Sequence, residues 1–179
     1  IMSNLETVHH KITSQPNSLS QEWKSQGENI VFTNGCFDIL HRGHIEYLAA
    51  AADMAERFIV GINSDDSVRA LDKGSSRPIQ DQESRALIVA ALNFVDAVVI
   101  FNEDTPYELI SQVQPDVLVK GGDYDASESN TDSPKYIVGS DIVRGNGGKV
   151  EVISFVPGYS TSAIEKKIIN PELTDEQKR

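Results

Sequence analysis

The sequence predicts one α/β domain in which a parallel sheet of about five strands is covered by helices on both faces. The chain has 179 residues, and about 100–200 residues make one domain. Short apolar runs alternate with segments of helical periodicity, as buried parallel strands and their crossover helices do. No apolar run approaches the roughly 18 residues needed to cross a bilayer. We therefore expect a layered domain without a membrane span or a membrane partner.

The elements follow one another in chain order from residue 29. Apolar runs rich in Val, Ile and Phe predict strands at 30–33, 58–62, 97–101, 116–119 and 150–153. Helical periodicity predicts helices at 44–55, 82–92, 106–112, 137–146 and 161–169. Because crossovers between parallel strands are right-handed, helices are expected on both faces of the sheet.

The two ends of the chain differ in character from this central part. Residues 1–28 are polar and predict an irregular N-terminal arm, although Leu5, Val8 and Ile12 could form one side of a short helix. Residues 29–169 make up the predicted domain. Residues 170–179 are charged and predict a frayed tail,.

Composition and charge exclude several classes of function. Sixteen Lys and Arg against 27 Asp and Glu give a net charge of −11, and the pI is near 4.7. Nucleic acid is an improbable partner, because binding its backbone needs clustered basic residues. Cys36 is the single cysteine, which excludes an intramolecular disulfide and fits the reducing cytoplasm. The N-terminus also lacks the basic and then apolar order of a signal peptide.

Residues that can take part in binding or catalysis are most concentrated at 33–44, in the segment T-N-G-C-F-D-I-L-H-R-G-H. It joins the first predicted strand to the first long helix, at the edge where open α/β sheets bind ligands. Small residues at Thr33 and Gly35 let backbone amides approach an anion. The helix start at Gly43 and His44 adds the positive end of a helix dipole. The segment therefore predicts a phosphate-binding loop.

Two histidines open this helix. His41 and His44 are three residues apart, so on a first turn both imidazoles point the same way. Two such donors suit a triphosphate, since they can stabilise the charge that develops when a nucleophile attacks the α-phosphorus. The alternatives are a metal-binding pair, for which the sequence shows no third ligand, and plain surface histidines. The strand, loop and helix around the two histidines favour the phosphate interpretation. We therefore expect no metal site built by the protein.

Three later segments also carry chemistry. Lys73 and Arg77 lie on a Gly/Ser loop that is predicted to close over phosphates as a lid,; ordinary surface charge is the alternative. The run K-G-G-D at 120–123 follows a buried strand and is predicted to face the ligand. The run S-T-S at 160–162 precedes a helix, where it could cap the helix and also present hydroxyls and amides to a phosphate.

In this order the segments resemble the cytidylyltransferase-like nucleotidyltransferase family over most of residues 29–169. Besides 33–44, the resemblance is carried by V-G-I-N-S-D (60–65), S-R-P-I (76–79), D-T-P-Y-E-L-I (104–110), L-V-K-G-G-D-Y (118–124), G-N-G-G-K-V (145–150) and Y-S-T-S-A-I (159–164). It implies a Rossmann-like fold of the nucleotidyltransferase type. It also implies transfer of AMP from Mg-ATP to a heptose 1-phosphate in lipopolysaccharide inner-core assembly, by a homodimer.

The resemblance also assigns roles to residues. The expected catalytic residues are His41, His44 and Lys73, and the expected acceptor-binding residues are Asp65, Arg77 and Arg85. The residues expected to bind the nucleotide are Thr33, Asn34, Gly35, Phe37, Asp38, Gly43, Lys120, Gly121, Asp123, Ser160 and Thr161. We also expect Phe37 to pack beneath the loop and Asp38 to orient the turn or a histidine. For Arg85 a salt bridge on a helix surface is an equal alternative.

Two features depart from the family pattern. Residues 124–135 are longer and more acidic than the corresponding stretch of the family. Some relatives also carry a sugar kinase domain. The 28 residues before the first predicted strand cannot encode one, so a stand-alone transferase is expected.

Three other functions compete with this prediction. Cytidylyltransferases for glycerol 3-phosphate or a similar alcohol phosphate commonly carry an Arg-Thr pair that reads cytosine, whereas residues 155–159 have no basic side chain, which favours ATP. A class I aminoacyl-tRNA synthetase needs anticodon-binding parts that this domain lacks. A silent nucleotide-binding module is disfavoured by the intact histidines and Lys120, and a pyrophosphate-release assay distinguishes it.

Overall fold

The computed structural model describes residues 2–71 and 77–169, and it confirms the α/β fold. Its strands are β1 (Ile30–Gly35), β2 (Arg57–Asn63), β3 (Ala97–Phe101), β4 (Val117–Gly121) and β5 (Lys149–Ile153). They form one sheet in the order β3-β2-β1-β4-β5, and every neighbouring pair is parallel. The chain moves outward from β1 through β2 to β3 and then returns to place β4 on the other side of β1. Ligands bind at such a switch point in open α/β sheets.

The helices pack on both faces of this sheet. Those in the described residues are α1 (Asn4–His10), α2 (Pro16–Ser25), α3 (Arg42–Ala52), α4 (Asp65–Ala70), α5 (Gln82–Ala90), α6 (Tyr107–Val113), α7 (Ser140–Gly145) and α8 (Thr161–Ile169). Each of the five helices predicted beyond residue 29 is present, with ends shifted by up to three residues. Helices α2 and α4 were not predicted. No helix within the described ranges is long and apolar enough to cross a membrane.

Alternating residues of β1 supply the two halves of the core. Val31 packs with Tyr47 and Leu48 of α3 on one face. Ile30 and Phe32 pack with residues of α2, α6 and α7 on the other. Because a central parallel strand is covered on both faces, its sequence is apolar without alternation.

The prediction of an irregular segment before residue 29 was wrong for α2. Trp23 of this helix is 7 % exposed, and the guanidinium of Arg57 lies 5.1 Å from its ring centroid. The backbone between the two helices also extends the edge of the sheet, since Val98 donates to the carbonyl of Lys11 and accepts from the amide of Thr13. The N-terminal segment therefore packs on the domain. The tail at 170–179 lies outside the described residues.

Candidate active site

A cleft of about 510 Å³ opens at the carboxyl edge of the sheet, beside the switch point between β1 and β4. We call it the histidine cleft. Its walls come from the loop after β1, from α3, from the end of β4 and from the start of α8. The residues that line it are Asn34, Gly35, Cys36, Phe37, Asp38, His44, Tyr47, Val68, Arg77, Lys120, Gly121, Tyr124, Phe155, Thr161 and Ser162.

The two histidines form a stacked pair at the N-terminus of α3. Their ring centroids are 3.8 Å apart with an interplanar angle of 21°. His41 caps the helix, because its Nδ1 accepts from the backbone amide of His44 at 3.4 Å. A neutral His41 therefore carries its proton on Nε2, which can donate to a ligand. A Cβ on Gly43 would lie 3.1 Å from both the His41 ring and Cβ of Tyr159, so a glycine allows this close packing.

Both imidazoles are neutral in the free protein at neutral pH. Burial lowers the pKa of His44 to about 4, and the neighbouring His41 contributes to the shift. Burial also lowers the pKa of His41. The edge of the Phe37 ring faces His44 at 5.3 Å. A bound triphosphate would favour the charged form of each imidazole and raise its pKa.

ATP binding is therefore expected to be accompanied by proton uptake at His44. In the free protein this group is unprotonated at any pH well above 4, so negative charge beside it raises the pKa and draws a proton from the buffer. Titration calorimetry in buffers of different ionisation enthalpy measures this uptake between about pH 5 and 7. A His44→Asn variant serves as the control, because protonation of ATP itself is common to both proteins. Equal uptake by the two proteins would contradict the prediction.

The loop after β1 is held by internal contacts. Phe37 adopts a positive φ of 49° and is buried, and a Cβ on Gly35 would meet its ring at 2.9 Å. Phe37 thus packs beneath the loop. Asp38 is 2 % exposed and accepts from the backbone amides of Ile79 and Gln80. Its carboxylate therefore orients the 77–80 turn rather than a histidine.

Thr33, which was expected to help bind the nucleotide, lines neither the histidine cleft nor the neighbouring one. Thr33 is fully buried, and its hydroxyl is hydrogen-bonded to the Tyr47 hydroxyl and to the carbonyl of Val119 at 2.9 Å. The cause is its position in the centre of the sheet, where helix α3 covers it. The neighbouring Asn34 and Gly35 do line the cleft.

Lys120 lies where the histidine cleft meets a second cleft. Its Nζ donates to Oδ1 of Asn34 at 2.9 Å and lies 5.6 Å from the ring centroid of Tyr124. These three residues line both clefts, whereas Gly121 lines the histidine cleft but not the second one. Asp123 is exposed and lines neither of the two clefts.

The second cleft has a volume of about 380 Å³. Beyond the shared wall, Asp104, Thr105 and Tyr136 bring carboxylate and hydroxyl groups to it. Sequence reasoning did not select these three residues. For Asp104 and Thr105 the available signal was the resemblance of the 104–110 segment to the family, which assigned no role to its side chains.

The fully buried guanidinium of Arg85 forms an ion pair with the partly exposed Asp65, which corrects the expectation that both face an acceptor. Arg85 is 0 % exposed, and its guanidinium donates to Oδ1 of Asp65 at 2.8 Å and to the carbonyls of Cys36 and Gln80. It is therefore neither a ligand contact nor a salt bridge on a helix surface. Asp65 begins α4, which Ser64 caps by accepting from the amide of Ser67.

Arg77 links the loop before α5 to helix α8. Its guanidinium donates to Asp38 at 3.1 Å and to Glu165 at 2.7 Å, and it lines the histidine cleft. In this arrangement its charge is held by two carboxylates at the cleft wall. Lys73, the other predicted lid residue, lies outside the described residues, and the lid stays a prediction.

The start of α8 supports both interpretations of its hydroxyl residues. Ser160 Oγ accepts from the amide of Ala163 at 3.1 Å, which is a capping interaction. Thr161 and Ser162 line the histidine cleft. The same helix N-terminus is therefore capped and open to the cleft.

A histidine-capped helix that follows the central strand of this five-stranded parallel sheet defines an α/β nucleotidyltransferase fold. The chain belongs to the cytidylyltransferase-like family, whose profile matches residues 32–167. Among curated relatives, bifunctional protein HldE of Wolinella succinogenes is 53 % identical over 150 residues, which cover 84 % of this chain and 29 % of that protein. HldE of Campylobacter curvus is 52 % identical over 160 residues, 89 % of this chain and 31 % of that protein. The chain thus spans less than a third of the length of these relatives.

Two solved structures share the architecture. The lipopolysaccharide core biosynthesis protein from Thermoplasma volcanium matches with a TM-score of 0.55 and 26 % identity, over 73 % of this chain and 98 % of that one. Pantoate-β-alanine ligase from Francisella tularensis matches with a TM-score of 0.54 over 86 % of this chain and 75 % of that one. At 15 % identity, the second likeness concerns the fold alone.

Proposed function

We propose that the protein is a cytoplasmic adenylyltransferase that moves AMP from ATP to a heptose 1-phosphate, giving ADP-heptose and pyrophosphate for the lipopolysaccharide inner core. The observation that carries the proposal is the stacked His41 and His44 pair at the N-terminus of α3, inside a cleft that adjoins a second one. The likeness to HldE proteins at about half identity supports the heptose assignment, as does the likeness to a lipopolysaccharide core biosynthesis protein.

The two adjoining clefts fit the two substrates of such a transfer. ATP is assigned to the histidine cleft, where a triphosphate would lie against Gly35 and the positive end of α3. The sugar phosphate is assigned to the second cleft, which we therefore call the acceptor cleft. There Asp104, Thr105 and Tyr136 offer partners for its hydroxyl groups. Lys120 belongs to both walls and would lie beside the reacting phosphates.

The reaction needs no covalent intermediate on the protein. An oxygen of the sugar phosphate attacks the α-phosphorus of ATP, and the bond from that phosphorus to the β-bridging oxygen breaks. Pyrophosphate leaves with the bonding electrons. The imidazole N–H groups and the Lys120 ammonium would stabilise the charge on the phosphoryl oxygens as this exchange proceeds. In this role the histidines are donors to the transition state rather than nucleophiles.

Magnesium would enter with ATP rather than occupy a site built by the protein. Among residues 2–71 and 77–169, no group of three His, Cys, Asp or Glu side chains is placed to hold a metal ion. Protein sites commonly hold Mg²⁺ through substrate phosphates, water and one or two carboxylates. When bound, the ion would neutralise negative charge on the phosphates.

The experiment that tests this function is a matrix of nucleoside triphosphates against phosphate acceptors, with pyrophosphate release as the readout. ATP with heptose 1-phosphate is expected to react at least tenfold faster than CTP with the same acceptor, because residues 155–159 offer no basic side chain to a cytosine carbonyl. Faster reaction of CTP with glycerol 3-phosphate would favour the cytidylyltransferase alternative. No release with any pair would favour a non-catalytic module. We further propose a homodimer, which light scattering tests.

A further inference from the structure

Phe155 packs against a pair of glycines at the wall of the histidine cleft. A Cβ on Gly121 would lie 2.5 Å from the Phe155 ring, and a Cβ on Gly122 would lie 2.6 Å from it. Gly122 also has a φ of 101°, a backbone angle that residues other than glycine rarely adopt. Gly121 at the end of β4 and the following Gly122 therefore leave space for this ring, and a larger residue at either position would displace it.

The ring is nevertheless far from covered by the protein. The edge of Tyr47 contacts it, with 6.2 Å between centroids and an interplanar angle of 64°. Phe155 remains 56 % exposed and lines the histidine cleft together with His44 and Thr161. Covering an exposed aromatic surface is favourable. A flat apolar ligand group in this cleft would therefore gain affinity from Phe155.

We infer that Phe155 is the stacking surface for the adenine base of ATP. The inference rests on the proposed function, because it takes ATP as the occupant of the histidine cleft. Phe155 lines this cleft and is absent from the lining of the acceptor cleft, which separates it from the sugar. Its phenyl ring offers no hydrogen bond, so it adds affinity for a purine face, whereas His44 interacts with the phosphates of any nucleotide.

The test compares ATP with inorganic tripolyphosphate, which presents phosphates without a base. Calorimetric binding is measured on the full chain with Phe155→Leu and Phe155→Trp, and with Tyr107→Leu as a control at an exposed aromatic outside the two clefts. Leucine keeps apolar bulk over the glycines but removes the aromatic face. Phe155→Leu is expected to weaken ATP at least tenfold and to change tripolyphosphate less than twofold. Phe155→Trp is expected to retain ATP affinity.

Each other outcome overturns the inference in a recognisable way. Unchanged ATP affinity in Phe155→Leu would place the base elsewhere. Equal weakening of ATP and tripolyphosphate would show that Phe155 only maintains the shape of the cleft. Failure of the wild-type protein to bind ATP would contradict the proposed function itself. Normal wild-type turnover with an unaffected Phe155→Leu variant would contradict the stacking role alone.

Discussion

His44→Ala is expected to lower the rate of AMP transfer by roughly 100- to 1,000-fold, the scale of losing one preorganised donor to a transition state. His44 lines the cleft at the first turn of α3. In the proposed reaction its N–H group would stabilise the charge that grows as the α-phosphorus becomes five-coordinate. Turnover should therefore fall more than ATP affinity. Steady-state kinetics with a pyrophosphate readout, combined with calorimetric ATP binding, measures both quantities.

The matched control is His10→Ala, which removes an exposed histidine from helix α1. Its turnover is expected to equal that of the wild type. The His44→Ala protein should keep the far-ultraviolet circular dichroism of the folded chain, since α3 retains its cap at His41. Turnover within threefold of wild type would remove His44 from the mechanism.

Arg85→Met is expected to lower the free energy of unfolding by about 2–4 kcal/mol, because two backbone carbonyls lose their donor and the partly exposed Asp65 loses its cation,. The methionine would fill part of the space. The carboxylate of Asp65 would lose its cation, and the carbonyls of Cys36 and Gln80 would lose their donors. Urea denaturation followed by circular dichroism measures the change.

The control for this variant is Arg69, an arginine on the surface. Arg69 and Asp66 form an ion pair in which the side chains are 60 % and 81 % exposed, and Arg69→Met should cost less than about 1 kcal/mol. Arg85→Lys keeps the charge but cannot make all three hydrogen bonds of the guanidinium. Its stability should therefore lie between those of wild type and Arg85→Met. Equal small losses in Arg85→Met and Arg69→Met would refute the structural role of Arg85.

Arg85 shows where sequence reasoning reached its limit. Its place early in a helix was visible in the sequence, but its partners lie at Cys36, Asp65 and Gln80, up to 49 residues away. Burial of a charged side chain depends on how those segments meet, which no local periodicity encodes. The same holds for Thr33, whose hydroxyl is hydrogen-bonded to Tyr47 of α3 and to the carbonyl of Val119 in β4.

Helices α2 and α4 were missed for a related reason. Helix α2 has a polar sequence that begins at Pro16 and buries Trp23 and Ser20, so its apolar face is narrow. Helix α4 has only six residues, too few to show a period. Short helices gain most of their stability from packing rather than from intrinsic propensity. Their existence is therefore decided by the sheet that they cover.

The sequence by itself determined the alternation of strands and helices, and with it the parallel sheet, because apolar runs and helical periods are local patterns. It also predicted a phosphate-binding segment, since residues 33–44 are continuous in the chain and His41 and His44 are three residues apart. Only the tertiary structure decided the strand order, the burial of Arg85 and Thr33, and the meeting of Lys120 with Asn34. It also brought Asp104 and Tyr136 into one cleft and seated Phe155 on Gly121 and Gly122. These features join residues far apart in sequence, and their geometry is set by the packing of the whole sheet.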